Sequence, residues 1–215
     1  MSGDTGSGLS AYLAEVAAGK PVPGGGSVAA VVGALAAALG EMVANLTLGR
    51  EKYVDVEASL RPVRDRLTAL RTSLLDAAAA DESAYQSYRD AAGLPRTSDR
   101  EKAVRTDAMQ QALIAATEVP LGVARSAREV AEILQSVARE GNPHVRSDAA
   151  LGALLAEAAL RGALLNVRGN AAMLTDRELS VTYLTDADLL EEAGREAAQL
   201  AYRAAMDASE ESRFR

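Results

Sequence analysis

The chain has 215 residues, a net charge of −7, one histidine, no tryptophan and no cysteine. Its length suits one domain, and with 48% hydrophobic but only 3% aromatic residues, alanine, leucine and valine must fill the core. These figures exclude disulfides, thiolate catalysis and cysteine-based metal sites, fit a reducing cytoplasm, and argue against nucleic-acid binding.

Residues 1–8 are small and polar and read as a flexible N-terminus without a secretory signal; residues 9–215 read as one helical domain. Leu9–Ala18 predicts a short helix closed by Gly19. A loop of two prolines and Gly24, Gly25 and Gly26 follows, with Ser27 placed to cap the next helix. On that helix Gly26, Gly33 and Gly40 recur every seven residues among alanines, a face that another helix can approach closely. The uncharged run Ser27–Leu39 is too short to span a membrane, which needs about 20 residues, so no membrane is expected.

Leucines at three-and-four spacing predict a long amphipathic helix from about Val54 to Ala92, with Pro62 kinking it or marking its start and Gly93 ending it. Ser98 and Asp99 begin the next, which Pro120 should divide into two limbs before Gly141-Asn142-Pro143 stops it. Ser147 predicts the cap of a small-residue helix from Asp148 to about Thr175. A last helix should start near Asp186 and reach about Ser209. The expected fold is all-α: a single-domain bundle of long, partly kinked antiparallel helices.

Few groups could carry chemistry. A single histidine, His144, cannot build a metal site and reads as an exposed loop residue, so no metal is expected. Asp81, with Glu82, interrupts the small run Ala77–Ala80; a partly buried aspartate there could hold a proton or stabilise a cation, or else pair with Arg89. Asp148 lies in the first turn of a helix, where the dipole favours its charge for structural reasons alone. Asn45 and Asn166 are amides on apolar stretches that must find partners if buried. Lys52 with Tyr53, and Arg161 with Arg168, are the cations near the motifs; for Arg161 an ordinary solvent-facing role is the default. The triple glycine lacks the Gly-Lys-Ser/Thr ending of a phosphate-binding loop.

Five segments occur in one order: PVPGGGSVAA (Pro21–Ala30), EMVANLT (Glu41–Thr47), GREKY (Gly49–Tyr53), ATEVPLGVA (Ala116–Ala124) and Gly141–Asn170. Together they resemble the cyclodeaminase/cyclohydrolase family of folate enzymes. The resemblance implies hydrolysis of 5,10-methenyltetrahydrofolate to 10-formyltetrahydrofolate, or cyclodeamination of 5-formiminotetrahydrofolate with loss of ammonia. A scaffold that has lost activity and serves in oligomerisation is the alternative from another class. The length gives no sign of a formiminotransferase domain, which favours the cyclohydrolase, with a separate formiminotransferase partner as the accompanying alternative. The resemblance further implies no cofactor beyond the folate substrate and a homodimer built on the Gly26/Gly33/Gly40 face and the Asp148–Ala163 helix. It assigns catalysis to Asp81 and Asp148. It assigns substrate binding to Gly24, Gly25, Gly26, Ser27, Asn45, Lys52, Tyr53 and Asn166, with Lys52 toward the folate's glutamate tail. The chain departs from the family at Gly169, where a larger apolar residue is usual; a helical glycine there costs about 1 kcal/mol.

Overall fold

The computed structural model describes the backbone of residues 5–211 and the side-chain surroundings of residues 8–207. Six α-helices run in order: α1 (Thr5–Ala17), α2 (Gly25–Asn45), α3 (Glu57–Ala92), α4 (Asp99–Glu140), α5 (Arg146–Ala171) and α6 (Arg177–Glu211). Short 3₁₀ turns at Glu51–Val56 and Pro143–Val145 lead into α3 and α5. No strand occurs among the described residues. Of the expected flexible N-terminus, residues 1–4 lie outside the described residues, and α1 begins at Thr5.

The bundle has two layers. Helices α2 and α5 pack against each other and together lie on α3, α4 and α6. They are antiparallel: Gly25 sits by Asn166, Gly33 by Ala159, and Gly152 against the Ala36 carbonyl. Alanine makes this possible, because Ala30, Ala36, Ala37, Ala153, Ala156, Ala159 and Ala163 are fully buried and keep the backbones close. The leucines of the second layer fill the space left by the glycines. A Cβ on Gly33 would stand 3.2 Å from Leu74, and one on Gly40 would stand 2.8 Å from Leu134 and 3.0 Å from Leu67. The seven-residue glycine face is therefore consumed inside the chain's own bundle, so Gly33 and Gly40 are not available to a second copy. A glycine repeat announces a close helix contact without saying whose helix makes it.

Several boundaries differ from the sequence reading, each for a local reason. Gly24, not Ser27, occupies the cap of α2, and Ser27 is fully buried inside the first turn. Helix α3 runs through Pro62, which lies in its second turn, where few helical hydrogen bonds precede it. The two limbs expected around Pro120 are one 42-residue helix, with Pro120 itself buried. Its start is as expected: Ser98 and Glu101 form a reciprocal capping box. Ser147 is exposed within the first turn of α5 rather than capping it, because the preceding 3₁₀ turn already directs the chain. Helix α6 starts nine residues earlier than expected. Asp176 accepts from Leu179 N–H at 3.0 Å and opens the helix, and Tyr183 is buried, its hydroxyl donating to Glu118 of α4 at 2.6 Å.

Two helical stretches, Gly25–Asn45 and Pro143–Ala171, are long and apolar enough to cross a membrane, with mean hydropathies of 1.9 and 1.4. About half of each is buried against other helices of the bundle, as expected of core helices.

Candidate active site

At the end of the bundle where α2 begins, α3, α4 and α5 leave a cleft of about 360 Å³. Its floor is the Pro21–Gly26 turn; Asp81, Tyr85 and Tyr88 come from α3, Leu113 and Ala116 from α4, and Asn166, Asn170 and Met173 from the end of α5 and just beyond. Positions 81, 85 and 88 lie on one helical stripe, as do 166 and 170, so each helix presents its polar groups to the same space.

Asp81 is tied to the start of α2. Its Oδ2 accepts from the Ser27 backbone N–H at 3.0 Å, and the Ser27 hydroxyl lies 3.1 Å from the Tyr12 hydroxyl of α1. This close approach depends on Gly26: a Cβ there would fall 2.2 Å from Asp81 Oδ1. Arg89, the alternative partner read from the sequence, is not what holds Asp81. Burial pushes the Asp81 carboxyl above the ordinary aspartate range, and the neighbouring Glu82 adds to the rise. The Ser27 N–H opposes both without cancelling them. The result is a half-buried carboxylate more basic than a surface aspartate. By helix geometry the N–H groups of Gly25 and Gly26 have no intrahelical acceptor, so the same turn offers hydrogen-bond donors beside this base.

The two cleft amides are oriented by backbone. Asn166 Nδ2 donates to the Gly162 carbonyl at 3.1 Å, and Asn170 Nδ2 donates to the Ala116 carbonyl at 2.8 Å. That leaves their carbonyl oxygens as acceptors for a ligand carrying N–H groups. Tyr85 and Tyr88 supply aromatic faces. Tyr88, Asn170 and Met173 were missed from sequence, although the spacings 81/85/88 and 166/170 were readable signals.

The remaining expected residues do not reach this cleft within one chain. Asn45 is exposed at the far end of α2, about 30 Å from Gly25. Lys52 is exposed with its ammonium 5.0 Å from the Tyr53 ring, and the Tyr53 hydroxyl donates to Asn142 Oδ1 at 3.1 Å. Asp148 is half-buried at the start of α5, about 27 Å along the helix from Asn166. Asn142 organises this second cluster, taking the Thr47 hydroxyl oxygen at 2.8 Å through its own N–H and donating to the Leu46 carbonyl at 3.3 Å. Arg161 faces Glu157 and Glu191, Arg168 bonds Asp188 and Glu191, and exposed His144 lies in the Pro143–Val145 turn. Among the described residues no three histidine or acidic side chains gather as a metal site would require. Gly169, the departure from the family pattern, is exposed with nothing within 4 Å of where a Cβ would stand.

The sequence profile described as formiminotransferase-cyclodeaminase matches residues 8–188. The chain belongs to this family. It is 44% identical to a methenyltetrahydrofolate cyclohydrolase of Methylorubrum extorquens over 86% of this chain and 90% of that protein. It is also 36% identical to the formimidoyltransferase-cyclodeaminase of Gallus gallus over 86% of this chain, but spans only 34% of that longer protein. A crystal structure of formiminotetrahydrofolate cyclodeaminase from Thermotoga maritima superposes with a TM-score of 0.83 at 30% identity, covering 93% of this chain and 96% of that one. The cyclodeaminase/cyclohydrolase resemblance read from the five motifs and the all-α fold are both borne out.

Proposed function

We propose that this family member is a methenyltetrahydrofolate cyclohydrolase. The observation that carries the reading is the 44% identity to a cyclohydrolase over nearly that protein's whole length. The cleft's chemistry fits it. The substrate's methenyl bridge is a cation, and a carboxylate beside it stabilises positive charge while serving as a base. Asp81 takes a proton from water as the oxygen adds to the bridge carbon. The C–N5 bond of the resulting tetrahedral carbon then breaks, a proton passes to N5, and the carbon stays on N10 as a formyl group. The Gly25 and Gly26 N–H groups are donors for the oxygen, and the amide oxygens of Asn166 and Asn170 are acceptors for the pterin's N–H groups.

Cyclodeamination is the second reading, favoured by the superposition on the Thermotoga maritima enzyme. There N10 attacks the formimino carbon and ammonia leaves, and the same base and donors serve. A separate formiminotransferase would then supply the substrate. We also infer a homodimer located in the cytoplasm. Loss of methenyltetrahydrofolate absorbance on addition of the protein tests the first reading, and ammonia release from 5-formiminotetrahydrofolate tests the second. A folded protein inactive in both assays would leave the oligomerisation scaffold.

A further inference from the structure

Helix α4 carries a proline in its interior, and the effect of that proline reaches the cleft. In an α-helix the N–H of each residue bonds the carbonyl four residues back. Pro120 has no N–H, so it offers none to the Ala116 carbonyl, and its ring crowds that same carbonyl and turns it off the helix axis. Ala116 lines the cleft. Its carbonyl is engaged from outside the helix: Asn170 Nδ2 of α5 donates to it at 2.8 Å.

Asn166, one turn earlier on α5, behaves differently. It folds its Nδ2 back onto its own helix, to the Gly162 carbonyl at 3.1 Å. Asn170 instead reaches across to the carbonyl of α4 that the proline leaves open. Gln110, on the same stripe of α4 as Leu113 and Ala116, holds the chain just beyond. Its Oε1 accepts from the Thr175 N–H at 2.8 Å, and its Nε2 donates to the Met173 carbonyl at 3.4 Å. With the backbone after α5 held there, what remains to be fixed is which way the Asn170 amide faces. Only its NH₂ can bond a carbonyl, so its oxygen is the atom turned away from Ala116.

We infer that Pro120 is a positioning residue for the ligand. By leaving the Ala116 carbonyl to the Asn170 amide, it turns the Asn170 oxygen into the cleft beside that of Asn166. Two such oxygens select a ligand edge that bears neighbouring N–H donors, as an amino-pyrimidinone does with its ring N–H beside its amino group. An edge of acceptors would meet two acceptors and be rejected. Equating that edge with the substrate's pterin rests on the folate reading; the orientation of the amide does not.

Pro120→Ala restores the missing N–H and its helical bond to Ala116. A helix interior gains from this change, so the variant should melt no lower than the wild type. Its KM for methenyltetrahydrofolate should rise about tenfold, the scale of one hydrogen bond replaced by a donor facing a donor. Its kcat should stay within about threefold, because the pterin edge is held equally in the ground and transition states. If the proline acts through Asn170, the Pro120→Ala/Asn170→Ala double variant has the KM of Asn170→Ala alone. Pro62→Ala is the control: Pro62 is exposed about 29 Å along α3 from Asp81, and that variant should keep the wild-type KM. An unchanged KM in Pro120→Ala, or KM effects that add in the double variant, would make the proline a packing residue and refute the proposal. A second measurement needs neither turnover nor the proline variant. In the ¹⁵N-labelled wild type, the Asn170 side-chain amide, assigned by its absence from Asn170→Ala, should exchange with water at least about tenfold more slowly than that of exposed Asn45. Equal rates would overturn the orientation. If the wild type turns over no folate in either assay, the functional reading falls while this exchange rate still decides how the amide is held.

Discussion

Gly26→Ala isolates the link between backbone and base. The added Cβ would lie 2.2 Å from Asp81 Oδ1, 2.5 Å from Cγ and 2.6 Å from Oδ2, where ordinary contact begins at 3.4 Å. The carboxyl must therefore retreat by about 1 Å. That stretches its 3.0 Å bond from the Ser27 N–H past useful length. Overpacking of this size costs about 1–3 kcal/mol, while alanine in place of glycine returns up to about 1 kcal/mol of helix propensity. The net loss of stability should stay under about 2 kcal/mol, and the protein should fold. Catalysis should suffer far more, since a misplacement near 1 Å costs about 10²-fold. The assay is methenyltetrahydrofolate turnover beside a thermal melt read by circular dichroism. Gly122→Ala is the control, because Gly122 is helical with open space around it. It should gain up to about 1 kcal/mol and keep full activity. A Gly26→Ala protein with wild-type kcat would refute the claim that Asp81 acts from its seat on α2.

Asp81→Asn should lower kcat about 10²–10⁴-fold while the protein remains folded, measured by the same absorbance assay. In the wild type, kcat should fall as pH drops through the Asp81 pKa, which lies above the usual aspartate value, and the residual Asn activity should lack that limb. Asp148→Asn should leave kcat within about threefold of wild type if that residue acts only at the start of α5, a readout that a pH–rate profile on the variant extends. Tyr183→Phe removes a 2.6 Å bond to Glu118 and leaves a carboxylate without its donor; burial and that bond push the tyrosine up to about 12. A loss of about 1–3 kcal/mol in urea melts, with unchanged kcat, is expected.

The sequence made the helices legible because their signals are local. Ser98, Gly93, and Gly141-Asn142-Pro143 each act within a turn or two, and each does in the structure what its chemistry suggests. What escaped depends on distant partners. Ser27 looked like a cap, but Gly24 takes that place and the Ser27 N–H is spent on a carboxylate 54 residues away. The start of α6 is hidden for the same reason: Ser180, Val181 and Thr182 weaken helix propensity locally, and burial of Ser180 and Tyr183 against other helices outweighs it. The site was half legible. Asp81, Gly26 and Asn166 meet at one cleft, while Lys52 and Tyr53 gather with Asn142 at the other end of the same two helices, the end at which α5 starts and carries Asp148 in its first turn. Order along a chain cannot say which residues share a cavity.

The position of Asp81 argues that the carboxylate is there for chemistry rather than for stability. Its folded pKa is raised, so in this group's account stability is greatest below the unfolded pKa and is lost as pH rises through the folded value. At neutral pH the charge is a net cost, even with the Ser27 N–H bonded to it and the positive end of the α2 dipole beside it. Asparagine could accept from that same N–H without burying a charge. Asp81→Asn should therefore match or exceed the wild type in stability at pH 7, and the advantage should shrink as pH falls through the raised Asp81 pKa and the carboxylate takes up its proton. Chemical denaturation at several pH values measures the gap. A variant less stable at pH 7 than at pH 4, relative to wild type, would mean that the ionised carboxylate is structural. The stated trend would instead leave Asp81 explained by the cation it is proposed to meet in the cleft.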